Sequence, residues 1–251
     1  MSDRSDIVQV TDVVVEFDGF RALDVPYFGI DRGELRVLIG PNGAGKTTLC
    51  DVISGKTRPK SGRIVIDDRE VTDWPETAIA RLGVGRKFQT PSVFDGLSVY
   101  ENMELALPAQ RGLRGALAGR ASWRDERRIL ALLERVHLRA LARTPARMLS
   151  HGQRQWLEIA MLMVSGARIL LVDEPAAGLT DDETRLTAEL LRDLAGAHTV
   201  LVIEHDMEFV RRLQSRVTVL NAGKILAEGS LEAVQADPRV REAYLGRGKH
   251  G

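Results

Sequence analysis

The segment that most constrains this chain runs from Leu35 to Ser54. A short apolar run, Leu35–Ile39, meets a glycine-rich turn, Gly40-Pro41-Asn42-Gly43-Ala44-Gly45, after which Lys46-Thr47-Thr48 opens a helical pattern. Strand, glycine loop and helix in that order fit the phosphate-loop pattern G-x-x-x-x-G-K-[ST]. The glycines let the backbone curl into a nest whose N–H groups point at phosphate oxygens. Lys46 supplies a point charge to the β- and γ-phosphates of a nucleotide, and the Thr47 hydroxyl can ligate Mg2+. The positive end of the helix serves the same anion.

Much of the remaining chain alternates in the same way. Val8–Phe17 and Leu23–Ile30 are β-rich, Arg63–Ile66 reads as a strand, and Ala78–Leu82 reads as part of a helix before Gly83–Gly85. Further on come a strand at Ile169–Val172, a helix at Asp182–Leu194, a strand at Thr199–Ile203, a helix at Met207–Leu213 and a strand at Val217–Leu220. Strands alternating with helices of this length imply crossover units and a mostly parallel sheet covered on both faces. Between Val99 and Met163 helical periodicity takes over: Ile129, Leu132, Leu133 and Val136 share one face, and Ser122 with Asp125 offers a capping start. Pro108–Ser122, rich in Arg, Gly and Ala, reads as a loop within that helical stretch. One domain spanning 1–251 is expected, with an α/β core in 1–98 and 166–251 and a helical subdomain in 99–165.

Composition removes several classes. With 35 Lys+Arg against 35 Asp+Glu the formal net charge is zero, so no global basic field argues for nucleic acid. A single cysteine, Cys50, rules out an internal disulfide and suits a reducing cytoplasm, as a packed small hydrophobe. Met1–Asp6 is polar and no apolar signal-peptide core follows, while no run approaches the ~20 apolar residues of a membrane span. Any membrane association is expected to be peripheral, through a partner.

Two further segments carry chemistry. Asp173 ends the apolar run Ile169–Val172, where a carboxylate can hold the water shell of Mg2+, and Glu174 can orient or deprotonate an attacking water. Ser150, with Gln153 three residues later, forms a capping-box arrangement that opens a helix through about Val164. Spare backbone N–H groups make that helix start a second anion site. One chain has one phosphate loop, so the second donor is expected to face a nucleotide on another copy.

In this order, the phosphate loop, Leu149-Ser150-His151-Gly152-Gln153 and Asp173-Glu174 resemble the motifs of an ATP-binding cassette (ABC) ATPase subunit over nearly the full length. The resemblance implies a P-loop core with an N-terminal antiparallel β-subdomain and an inserted helical subdomain. It also implies ATP and Mg2+ as ligands, with Thr47, Gln89 and Asp173 at the metal. Gln89 resembles the Q-loop glutamine, His205 the switch histidine that contacts the γ-phosphate, and Phe17 the aromatic that stacks on adenine. Lys46, Glu174 and His205 would then carry catalysis, and Ser150, His151, Gly152 and Gln153 would bind the nucleotide held by a second cassette.

Partners implied are that second cassette, alike or related, integral membrane permeases and, indirectly, an extracytoplasmic solute-binding protein. No nucleic acid is implied, and the place is peripheral on the cytoplasmic face of the membrane. The segments Gly85–Phe94, Ser150–Met163, Val202–Val210 and Glu228–Gly246 look like ATPase subunits of importers for branched-chain amino acids and urea. Gly85–Phe94 and Leu149–Leu162 look most like the urea subunit. Two positions depart from the pattern: His151 replaces the first signature glycine, and Thr180 stands where the D-loop usually carries aspartate. The competing classes are a soluble ABC-type protein acting on nucleic acid or ribosomes, and an unrelated phosphate-loop kinase or GTPase. The first usually shows tandem cassettes or long coiled-coil insertions, which are absent, and no Asn-Lys-x-Asp guanine-reading motif is present for a GTPase.

Overall fold

The computed structural model describes residues 6–86, 93–108 and 123–245. Its backbone is organised by two sheets. The first is antiparallel, in the order β2-β1-β4-β5, built from β1 (Asp6–Phe17), β2 (Phe20–Asp31), β4 (Ser61–Ile66) and β5 (Arg69–Glu70). Between β1 and β2 only Asp18 and Gly19 intervene, at φ 48° and 82°, the double positive φ of a type I′ turn. That turn sets Phe17 opposite Phe20.

The second sheet runs β10-β9-β3-β8-β7-β6, from β3 (Leu35–Ile39), β6 (Val84–Arg86), β7 (Ile169–Asp173), β8 (Thr199–Ile203), β9 (Arg216–Asn221) and β10 (Lys224–Gly229). Every pairing in it is parallel except β9–β10. Three strands of the two sheets exceed or escape the sequence expectation. The segment Gly83–Gly85 is not merely a helix end, because Val84–Arg86 pairs with β7 as an edge strand. Strand β10 was not expected, and neither was β5. All three are short or partly exposed, so no apolar run marks them.

Strict alternation along the inner strands builds two cores. Val37, Ile39, Leu170, Val172, Val200, Val202, Val217 and Val219 point to one face. Leu38, Ile169, Leu171, Leu201, Ile203 and Leu220 point to the other. On the second face lie the antiparallel sheet, α1 (Lys46–Ser54) and α2 (Glu76–Arg81). On the first face lie α3 (Val99–Leu105), α4 (Trp123–Arg135), α5 (His151–Val164), α6 (Asp181–Leu194) and α7 (Met207–Leu213), with Val234 and Val240 from the C-terminal α8 (Leu231–Ala236) and α9 (Pro238–Leu245). Both faces of the sheet are therefore dry, the condition under which parallel strands read as continuous apolar runs.

Helix α4 buries Ile129 and Leu133 as the periodicity required, with Leu132 half-buried beside them. Ser122, proposed as its cap, lies outside the described residues, as do 109–122 of the arginine-rich loop. Arg36, 1% exposed, is a charge set deep in the molecule: it is held by Glu34, Glu228 and Thr218 and lies against the Phe28 ring. Buried guanidinium is tolerable only when paired in this manner.

Candidate nucleotide site

Sheet register assembles the site. Ile203 at the end of β8 pairs with Leu38 on one side and Asp173 on the other, so three chain ends emerge together at the carboxyl edge of the sheet. These lead into Gly40, into Glu174 and into Glu204-His205. Ligands of parallel sheets bind at this edge.

The loop from β3 to α1 is shaped by close approach. A Cβ on Gly40 would stand 2.1 Å from the Leu220 carbonyl, and one on Gly45, at φ 101°, would stand 2.8 Å from that of Ala22. No side chain caps the N-terminus of α1, where Gly45 is the cap residue. Lys46 Nζ donates to the carbonyls of Gly40 (2.7 Å) and Pro41 (3.1 Å), holding the cation across the loop. Burial pushes the Lys46 pKa down, and Glu174 and Asp173 pull it back up. An approaching anion would therefore find a desolvated ammonium without enough negative charge around it.

Phe17, Phe20, Ala22, Asn42–Thr48, Asp173, Glu174 and Ile203 line one cavity of about 420 Å³. The expected residues Phe17, Asn42, Gly43, Ala44, Gly45, Lys46, Thr47, Thr48, Asp173 and Glu174 are thus brought together, and the Gly40 and Pro41 carbonyls anchor the lysine beneath them. Phe17 and Phe20 are 49% and 68% exposed at its rim, where a flat ring could stack. Phe20 escaped the sequence reading, although the Asp-Gly turn that pairs it with Phe17 was legible.

Glu174 takes φ 46°, a left-handed conformation rare for a residue with a side chain. Its N–H donates to the Ile203 carbonyl (2.9 Å), and its carboxylate comes within 3.5 Å of His205 Nδ1. Behind them Glu204 is 1% exposed. Its carboxylate accepts from the backbone N–H of Ala176 (2.9 Å), His205 (3.0 Å) and Asp206 (3.4 Å). Burial raises the Glu204 pKa against those three bonds. This carboxylate ties the turn after Glu174 to the turn bearing His205, a role that the sequence did not disclose.

Ser150, His151, Gly152 and Gln153 stand apart and do not line that cavity. They open α5 with a complete capping box: Ser150 Oγ accepts from the Gln153 N–H (3.2 Å), and Gln153 Oε1 accepts from the Ser150 N–H (3.1 Å). Gln155 Nε2 lies 3.0 Å from His151 Nε2 one turn along the helix, which leaves the ring beside Gly178. Thr180 caps α6, with Glu183 completing its own capping box. Gln89 lies outside the described residues. Cys50 is buried, and burial pushes its thiol up to about 12, so it packs as an inert side chain.

Among the described residues no group of three His, Cys, Asp or Glu side chains could hold a metal unaided, and none of the helices is long and apolar enough to cross a membrane.

Residues 23–177 match the family model of ABC transporters, and residues 224–250 match that of branched-chain amino acid ATP-binding cassette transporters. LivG of Escherichia coli K12, a high-affinity branched-chain amino acid transport ATP-binding protein, is 37% identical over 249 residues, covering 96% of this chain and 98% of LivG. The ADP conformation of MJ1267, an ATP-binding cassette of an ABC transporter, superposes with a TM-score of 0.83 at 28% identity, over 96% of this chain and 99% of that one. A dimeric post-hydrolysis state of the cassette MJ0796, bound to ADP and Pi, matches with a TM-score of 0.74 at 26% identity, over 89% and 98%. These likenesses favour the branched-chain amino acid group over the urea subunit that Gly85–Phe94 and Leu149–Leu162 suggest. The chain belongs to the ABC transporter family, in its branched-chain amino acid group.

Proposed function

We propose that this chain powers branched-chain amino acid import, binding ATP between its own phosphate loop and the α5 start of a second cassette. The observation that carries the solute class is the LivG likeness across nearly the whole of both chains, with the C-terminal match at residues 224–250 beside it. What supports the pairing is geometry: the α5 start lies outside the cavity that the chain's own phosphate loop lines. MJ0796, a cassette of similar fold, is dimeric in its post-hydrolysis state.

In this reading Phe17 and Phe20 stack on the adenine, and the 40–48 loop with Lys46 holds the phosphates. The Thr47 hydroxyl and the Asp173 carboxylate both line the cavity and would hold Mg2+ there. Mg2+ when bound neutralises phosphate charge, and Gln89 would join its holders. Glu174 accepts a proton from the attacking water, and His205 stabilises charge on the γ-phosphate. Glu204 keeps both in register. Nucleotide binding draws the cassettes together, and hydrolysis releases them. That motion would pass from the 89–99 region to membrane permeases, with residues 99–165 as the lobe that moves. The chain would sit on the cytoplasmic face, served at a distance by an extracytoplasmic binding protein and by no nucleic acid.

Labelled leucine and urea uptake in cells with and without this gene separates the solute readings. Deletion should abolish leucine uptake and spare urea uptake. Loss of urea uptake alone would restore the urea assignment.

A further inference from the structure

Glu183 does more than cap its own helix. It is the third residue of α6, and its carboxylate accepts from the Thr180 N–H and hydroxyl, both at 3.1 Å. The same carboxylate accepts the Ser150 hydroxyl at 2.6 Å, across 33 residues of chain. These bonds hold its pKa below the ordinary range, the Ser150 bond first. Gly152 makes room for the arrangement: a Cβ there would fall 2.7 Å from the Glu183 carboxyl carbon. The two helices are pinned just beyond. Trp156 Nε1 donates to Thr187 Oγ1 (2.9 Å), and Thr187 Oγ1 donates to the Glu183 carbonyl (2.7 Å), with Trp156 and Thr187 both buried. The carboxylate is therefore aimed at the α5 start by a packed interface.

A serine hydroxyl has one proton to give. In the free chain that proton goes to Glu183, at the helix start that the sandwich reading assigns to a nucleotide phosphate on the other cassette. We propose that Glu183 is a positioning residue that holds the Ser150 hydroxyl in the open state and yields it to the γ-phosphate on closure. The inference rests on that sandwich reading. Carboxylate and phosphate are like charges competing for one donor, so closure must either turn the Ser150 hydroxyl away from Glu183 or force the two anions together. Thr180 belongs to the same device. As the cap that shares Glu183, it links the loop following Glu174 to the signature serine within one chain.

The test is the ATP dependence of hydrolysis by the transporter complex purified from membranes, comparing the native chain with Glu183→Gln and Ser150→Ala. Glutamine serves at the third position of a capping box as well as glutamate does, so Glu183→Gln removes the charge and keeps the helix. Its ATP concentration at half-maximal rate should fall roughly fivefold or more, the scale of coupling between linked sites, with a small drop in melting temperature from the charge lost at the α6 start. An unchanged or raised half-maximal concentration, with Ser150→Ala inactive, overturns the role of Glu183 and leaves the sandwich standing. Normal turnover in Ser150→Ala overturns the sandwich and this inference together.

Discussion

The starts of α1 and α5 are both helix N-termini with polar loops before them, yet they are finished in opposite ways. At α1 the cap residue is Gly45, no side chain closes the helix, and the nearest cation is pulled onto backbone carbonyls. At α5 Ser150 and Gln153 close the helix with a capping box, and Glu183 of α6 accepts the Ser150 hydroxyl proton in a hydrogen bond. An open start can take an anion with little rearrangement, whereas a closed one must exchange a bond first. The difference teaches which half of the site binds nucleotide alone and which half responds only when a second cassette brings one.

The strongest break in the comparison should come from the chemistry at the sheet edge. Glu174→Gln should lower turnover by about 10²–10⁴-fold, the usual weight of a general base, while ATP binding to the single chain survives. Single-turnover kinetics beside nucleotide titration reads both. Retained turnover would remove Glu174 from the base role.

Next come the two helix starts themselves. Lys46→Ala removes a charged partner of the phosphates and should weaken single-chain ATP binding by about 1.5–3 kcal/mol, which calorimetry would show. Ser150→Ala should leave that affinity unchanged and cost about 1 kcal/mol of stability, the usual price of a lost cap. Equal losses of affinity in both variants would erase the distinction between an open and a closed start. Proton linkage offers a second reading at α1. Lys46 has its pKa lowered in the free chain, so its charge is a cost at neutral pH that a bound anion offsets. Binding should raise that pKa, take up protons near it, and weaken as pH rises through the lowered value. Calorimetry in buffers of different ionisation heats would reveal the uptake.

Smaller effects test the edges. Phe20→Ala should weaken ATP binding by about 1 kcal/mol if its ring shares the stacking with Phe17. His151→Gly should leave the pH profile of hydrolysis unaltered between about pH 6 and 8, because Gln155 already engages the ring away from the α5 start. A displaced profile would give His151 a chemical part.

Much of this architecture is legible in the sequence because the inner strands are buried on both faces. Ile169–Val172 and Val200–Ile203 are continuous apolar runs, Leu35–Ile39 is broken only by the buried Arg36, and each ends where chemistry begins. Edge strands leave no such mark: Val84–Arg86 is three residues around a glycine, and Lys224–Gly229 is mostly half-exposed. Local motifs were legible for a related reason, since a glycine loop or a capping box is written in consecutive residues. Glu204 and Glu183 were not, because their partners lie far along the chain: Ala176 for one and Ser150 for the other. A carboxylate beside a motif says nothing until packing decides which backbone or hydroxyl it meets. The solute class was the least legible of all, since none of the residues lining the cavity would touch it.

The central claim is that one chain's phosphate loop and another chain's α5 start form one ATP site. In a pair built from two copies of this chain, mixing Lys46→Ala with Ser150→Ala copies tests it most directly. Each variant alone spoils both sites of a pair, but a mixed pair keeps one site with an intact loop on one chain and an intact α5 start on the other. ATP hydrolysis should reappear on mixing two inactive preparations. A mixture as inactive as its parts would contradict the account.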